Sequence, residues 1–209
     1  FVLSVFIPVF LYTFGISGWV MMPVVYPVYM SGLAANAEAV ANGGQAINIA
    51  TQETCYAFSS MGGIGTTLAL SVMMLLLSKS AQLKAIGKAV IIPSIFNINE
   101  PLVFGAPIAF NPYLMVPMWI NSIIVPTIAY VTMSLGLVNI PSSTFLLWYM
   151  PYPFTSYLAT QDWRAIVVCV LIFAITWLIF LPFFKAYDNS LVKQEAQEAM
   201  EEAEAEAVH

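Results

Sequence analysis

Charge is what this sequence has least of. Charged residues make up 8% of its 209 residues against 60% hydrophobic, a balance that belongs to membrane proteins. No charged residue precedes Glu38, and Glu100 is the single one between Lys88 and Asp162. Uncharged stretches of that length exclude a soluble enzyme. Histidine is confined to the last position, His209, which excludes imidazole chemistry in the body of the chain. The two cysteines, Cys55 and Cys169, form neither a disulfide framework nor a metal-ligand spacing and are expected to be inert packing residues. No metal site and no cofactor are therefore expected. Basic patches are also absent, which removes the electrostatic basis for binding nucleic acid. The net charge of −5 is largely a property of one end, because six of the eleven acids lie between Glu195 and Glu206. The chain opens at Phe1 with no charged n-region, unlike a signal peptide, and is expected to be a fragment of a longer protein.

What is present centres on Asn97-Ile98-Asn99-Glu100-Pro101-Leu102-Val103-Phe104-Gly105. An ionisable group at membrane depth is expensive and marks a substrate or ion pathway. Asn97 and Asn99 can hydrogen-bond that acid or a bound polyol. Pro93, Pro101 and Pro107 interrupt any helix, and irregular backbone is tolerated at that depth where it lines a wet cavity. Two readings stand side by side. Either a broken-helix binding site is built around Glu100, or the acid is structural, capping a half-helix or pairing with another segment.

Along the chain, Phe1 to Met30 is apolar, broken by Pro8, Pro23 and Pro27, and fits one kinked span or a span followed by half a re-entrant hairpin. Trp19, Tyr26 and Tyr29 suit interfacial anchors or pocket lining. Ser31 to Thr54 is small and polar, with a helix expected over Gly32 to Ala41 and a stop at Asn42-Gly43, and is expected to be extramembranous or to line a polar cavity. Cys55 to Leu77 is long enough for a tilted span. It carries Gly62-Gly63-Ile64-Gly65-Thr66-Thr67, which suits close packing or amide groups facing a ligand. No lysine follows, so it is not a nucleotide-binding loop. Ser78 to Lys88 holds three of the six basic residues and reads as cytoplasmic by the positive-inside rule, with a short interfacial helix. Val90 to Asn111 is expected to enter and leave on one side. Tyr113 to Val138 and Ala165 to Phe184 are spans that flank an irregular zone, Pro141 to Gln161. This path brings Lys185 and Lys193 to the side of Lys79 to Lys88 and leaves Arg164 on the other. The acidic tail, 194–209, is expected to be solvated and partly disordered, since Glu198, Glu202 and Glu206 repel at i,i+4. The fold class is all-α, with transmembrane helices and re-entrant helical hairpins. Rival functions for such a chain are an ion- or proton-coupled secondary transporter and a non-transporting membrane scaffold.

The run Ile91-Ile92-Pro93-Ser94-Ile95-Phe96-Asn97-Ile98-Asn99-Glu100-Pro101-Leu102-Val103-Phe104-Gly105-Ala106-Pro107-Ile108, closing at Asn111-Pro112, resembles the signature of EIIC. EIIC is the membrane component of phosphoenolpyruvate-dependent sugar phosphotransferase systems. The likeness is to the lactose/cellobiose/diacetylchitobiose family. Three further pieces resemble that family in its order: Gly62 to Leu68, Leu147-Trp148-Tyr149-Met150-Pro151-Tyr152-Pro153, and Leu158 to Ala165. The resemblance covers the chain to about Lys193. It implies the C-terminal, substrate-binding half of an EIIC transport domain over 1–193, without the N-terminal spans that make most of the homodimer contact, followed by an acidic cytoplasmic tail over 194–209. It also implies a multi-pass protein of the bacterial inner membrane with a cytoplasmic C-terminus. The implied activity is binding and inward movement of a β-linked disaccharide such as cellobiose, lactose or diacetylchitobiose. The sugar is then phosphorylated at its 6-hydroxyl from a phosphocysteine on the separate EIIB protein, which EIIA supplies. Enzymatic character belongs to the chain only as the membrane component of that complex.

By matching position, the resemblance puts Glu100 at the 6-hydroxyl as the catalytic and sugar-binding acid. It has Asn97 and Asn99 supporting the site and Trp148 stacking on a sugar ring, and it draws Gly63, Gly65 and Thr66 of the Gly-rich stretch toward the substrate. Ser17 stands where this family usually has histidine. Serine hydrogen-bonds a hydroxyl but does not protonate near neutral pH, so the departure bears on phosphoryl transfer more than on sugar binding.

Overall fold

The computed structural model describes residues 1–106 and 108–207, so the interruption expected at Pro107, and the residues Val208 and His209, lie outside the described residues. Among the described residues there are helices and irregular segments but no strands. Helix α1 is Val2–Thr13, and a 3-10 turn at Gly18–Met21 leads into α2, Met22–Ala41. A three-residue turn α3, Gln52–Thr54, runs into a π-helical stretch, Cys55–Ser59, and after a break comes α4, Leu68–Leu76. Next are α5, Ala81–Ile95, and the short α6, Glu100–Gly105. The chain ends with α7, Pro112–Ser134, then α8, Phe154–Thr160, and α9, Arg164–Ala207.

Helices α7 and α9 form an antiparallel spine on which both apolar cores are built. Leu114 and Met118 of α7 share one apolar core with Phe180 and Phe184 of α9 and with residues of α1, α4, α5 and α6. Val125, Ala129 and Met133 share a second core with Ala165, Cys169 and Ile172, packed on the π-helical stretch and α8. Three helical stretches are long and apolar enough to cross a membrane: Gly18–Ala41, Pro112–Ser134 and Arg164–Ala205.

The charged ends of the elements agree with the topology expected from the sequence. Asp188 accepts hydrogen bonds from Ser78 Oγ at 2.7 Å and from the amides of Lys79 and Ser80 at 2.9 and 3.0 Å. Two turns further along α9, Glu195 accepts from Ser80 Oγ at 2.6 Å and from the Gln82 amide at 3.0 Å. Both carboxylates thus satisfy the free amides at the start of α5. They fix Lys79 to Lys88 at the same end of the molecule as Lys185 and Lys193. At the other end Arg164 pairs with Asp162 at 2.8 Å, so the basic residue set apart from the lysines has an acid beside it.

Several expectations are corrected. Cys55 to Leu77 is no straight span, because positive φ angles at Gly62, Gly63, Gly65 and Thr66 turn the chain between the π-helical stretch and α4. The helix expected over Gly32 to Ala41 is the second half of α2, although its stop at Asn42 and Gly43 is where the sequence put it. The interfacial helix and the first arm of the Glu100 hairpin are one helix, with Pro93 inside it. The tail is helical through Ala207 rather than partly disordered. A helix already nucleated by the span extends through Ala and Glu without a new nucleation cost, and Glu195 anchors its first turns. No helical break marks the boundary at residues 193 and 194.

Candidate functional site

Two broken arms meet where each loses its helical hydrogen bonding. The first is the turn Ser60 to Thr67 and the second is Phe96 to Asn99. Asn97 holds both. Its backbone sits at φ +63°, a left-handed conformation that asparagine tolerates better than most residues. Its Oδ1 accepts from the Gly62 amide at 3.0 Å, while Nδ2 donates to the carbonyls of Trp148 and Met150 at 2.8 and 2.9 Å. One buried amide therefore fastens the tip of the first arm, the tip of the second and the Trp148 loop. Asn99 adds a second fastening, donating to Ile64 O at 2.7 Å and Thr67 Oγ1 at 3.0 Å.

The Gly-rich turn is shaped by close approach. A Cβ on Gly63, at φ +99°, would lie 2.4 Å from Asn99 Oδ1, and one on Gly65 would lie 2.4 Å from Met118 Cε. Thr66 is a β-branched residue at φ +57°, a strained conformation, held as its Oγ1 donates to Ser59 O at 3.1 Å. The π-helical stretch next to it leaves backbone carbonyls outside the regular ladder, as such segments do at functional sites. Tyr152 Oη donates to Tyr56 O and Ser156 Oγ to Ala57 O. Through these bonds the segment carrying Trp148 is laced to the first arm.

A cavity of about 200 Å³ lies between these tips, α1 and the start of α2. Of the residues named from sequence, Asn97, Asn99, Glu100, Gly63, Gly65 and Trp148 line it. Ser17 and Thr66 do not. Ser17 is exposed, and its Oγ caps the 3-10 turn by accepting from the Trp19 amide at 3.4 Å. Thr66 is buried beneath the turn. Glu100 opens α6 and supplies the one charged side chain in the cavity lining. Among the described residues the single ion pair is Arg164 with Asp162, so Glu100 is not a member of a salt bridge. Trp148 is half-exposed, its ring edge-on to Tyr149 with centroids 5.8 Å apart.

A further wall joins the end of the polar segment, for which cavity lining is one expectation, to the start of the apolar run at Cys55. Gln52, Cys55, Tyr56, Ser59 and Ser60 all line the cavity, spaced i, i+3, i+4, i+7 and i+8 along one helical face. Cys55 thus lines the cavity, its Sγ donating to Tyr29 Oη at 3.4 Å, and Tyr29 in turn meets Ser4 Oγ at 2.6 Å. Trp19 and Tyr29 line the cavity as well, whereas Tyr26 does not. Glu53, one position along, is a second acid in the apolar body. It is 2% exposed and accepts from the Phe145 amide at 3.4 Å. The spacing from Gln52 to Ser60 is a readable signal, but it runs across Thr54 and Cys55, where the sequence changes from a polar segment to an apolar one.

Comparison with known proteins locates the chain. The family profile described as "Phosphotransferase system, EIIC" matches residues 1–122. The chain is 38% identical to the lichenan permease IIC component of Bacillus subtilis over 82% of this chain and 38% of that protein. It is 31% identical to the oligo-beta-mannoside-specific EIIC component of the same organism, over 98% of this chain and 47% of that one. A crystal structure of the transporter ChbC, the IIC component from the N,N'-diacetylchitobiose-specific phosphotransferase system, superposes with a TM-score of 0.88 at 34% identity. It covers 93% of this chain and 46% of that chain. The chain thus spans less than half the length of these relatives. With its all-helical architecture, its apolar helices and its Glu100 cavity, this chain belongs to the EIIC family of the phosphotransferase system.

Proposed function

We propose that residues 1–193 form the sugar-binding part of a phosphotransferase-system permease, taking up a β-linked disaccharide of the cellobiose, lactose or diacetylchitobiose class. The carrying observation is Glu100, the one charged group of a cavity built where two broken helices are stapled together. A volume of about 200 Å³ is below the ~300–1,000 Å³ of pockets that enclose larger ligands. It suits one sugar ring, with the second directed toward the open side. Glu100 orients the 6-hydroxyl and accepts its proton as the oxygen attacks phosphorus and the S–P bond to the EIIB cysteine breaks. Trp148 offers an apolar face to a ring, while Asn97 and Asn99 hold the geometry. EIIB, charged by EIIA, approaches from the side of Lys79 to Lys88, which is cytoplasmic together with the helical tail from 194 onward. The whole acts as a homodimer in the bacterial inner membrane.

The test is a Glu100→Gln substitution in the intact permease. Sugar binding falls sharply and phosphoryl transfer from EIIB is lost, while the protein keeps its thermal stability. Uptake and phosphorylation at the original level would overturn the role given to Glu100.

A further inference from the structure

Among the described residues, five buried side-chain polar atoms have no hydrogen-bond partner, on Tyr12, Glu53, Ser59 and Asn121. Only Ser59 belongs to the cavity lining. It is 5% exposed and sits in the π-helical stretch, on the face that carries Gln52, Cys55, Tyr56 and Ser60. Its neighbours on that face are committed elsewhere. Gln52 donates to Tyr56 Oη, Cys55 to Tyr29 Oη, and Ser60 Oγ to Cys55 O. The Ser59 carbonyl accepts from Thr66 Oγ1, yet the Ser59 hydroxyl meets no one. A buried hydroxyl without a partner is costly, and a cavity wall is where a ligand would supply one.

We infer that the Ser59 hydroxyl is a substrate contact, hydrogen-bonding one sugar hydroxyl from the π-helical wall of the cavity that Glu100 also lines and selecting for a substrate that carries that hydroxyl. The inference rests on the cavity being a sugar site. In such an arrangement Glu100 and Ser59 hold the same ring from two separate segments. A sugar lacking the matching hydroxyl denies Ser59 that partner, which is how polar sites reject analogues.

The test uses the intact permease and whichever of cellobiose, lactose or diacetylchitobiose the wild type binds, with the monodeoxy analogues of that sugar. Ser59→Ala weakens binding of the parent sugar about 10-fold. For one monodeoxy analogue it has no effect, because the contact is already absent, and for the others the 10-fold loss persists. Thermal unfolding of the sugar-free protein separates this from a structural role. Ser59→Ala leaves Tm unchanged or raised, since it deletes an unpartnered group, and Ser59→Thr keeps the hydroxyl and the analogue pattern. Equal losses across every analogue, or a lowered Tm without sugar, would overturn the assignment while leaving the sugar site intact. Wild-type protein that binds none of the three sugars would overturn both.

Discussion

Asn97 offers the sharpest measure of how the two tips are held. Substituting Asn97→Ala removes three hydrogen bonds, each worth about 0.5–1.5 kcal/mol net, and strips partners from Gly62 N, Trp148 O and Met150 O. It also leaves alanine at φ +63°, a further ~1–2 kcal/mol that asparagine partly avoids. Water from the cavity reclaims some of the loss, so the expected cost is about 3 kcal/mol. The comparison with Asn97→Gly separates the two contributions. Glycine tolerates the backbone but restores no bond, and should recover about 1 kcal/mol of the deficit. Asn97→Asp keeps an acceptor for Gly62 N but turns an oxygen toward two carbonyls, so it should be at least as harmful as alanine. The assay is unfolding of the intact permease in detergent, alongside hydrogen exchange at the Gly62 amide. An alanine variant within about 0.5 kcal/mol of wild type, or aspartate milder than glycine, would refute the stapling argument.

Other outcomes follow from the same geometry. Gly63→Ala places a methyl 2.4 Å from Asn99 Oδ1 and should cost about 1–3 kcal/mol together with sugar binding. Adding Asn99→Ala should not restore the stability, because the methyl at φ +99° would still lie 2.7 Å from the Cβ at position 99 and the bonds to Ile64 O and Thr67 Oγ1 would be lost. Asp188→Ala uncaps α5 from a 4%-exposed position and should cost about 1–2 kcal/mol, read as faster exchange at the amides of Lys79 and Ser80. Arg164, hydrogen-bonded to Asp162, holds that carboxyl below its ordinary value of 3.8. A depressed carboxylate contributes stability above its unfolded pKa and loses it as pH falls through the folded one. The Tm difference between wild type and Asp162→Asn should therefore stay constant from neutral pH down to about 5 and shrink as pH falls below about 4.

The residues that announced themselves in the sequence did so by contrast. Glu100 is conspicuous because its neighbours for many positions are uncharged, and it does line the cavity. The spans at α7 and α9 were legible because their apolar runs exceed a bilayer's thickness. The shape of Cys55 to Leu77 was not, since apolarity reports length rather than direction. The turn there is made by left-handed backbone at Gly62, Gly63, Gly65 and Thr66; the glycines permit it, but they suit close helix packing equally well, and nothing about a threonine suggests the fourth. Asn97 and Asn99 were read as groups for a ligand, yet most of their hydrogen-bonding capacity goes to the protein's own backbone. Asparagine beside a break serves either end equally well, and only the packing says which.

Composition and pattern by themselves determined that this chain is helical and membrane-embedded, and singled out Glu100, because placing charge in lipid is costly enough to make its position selective. The tertiary structure decided the rest. It joined residues 62, 97 and 148 through a single side chain, and set Asp188 and Glu195 on the start of α5. It also turned one face of a π-helical stretch into a cavity wall. Those contacts join positions dozens of residues apart, so they depend on how α7 and α9 bring the arms together, and no local run of residues records that.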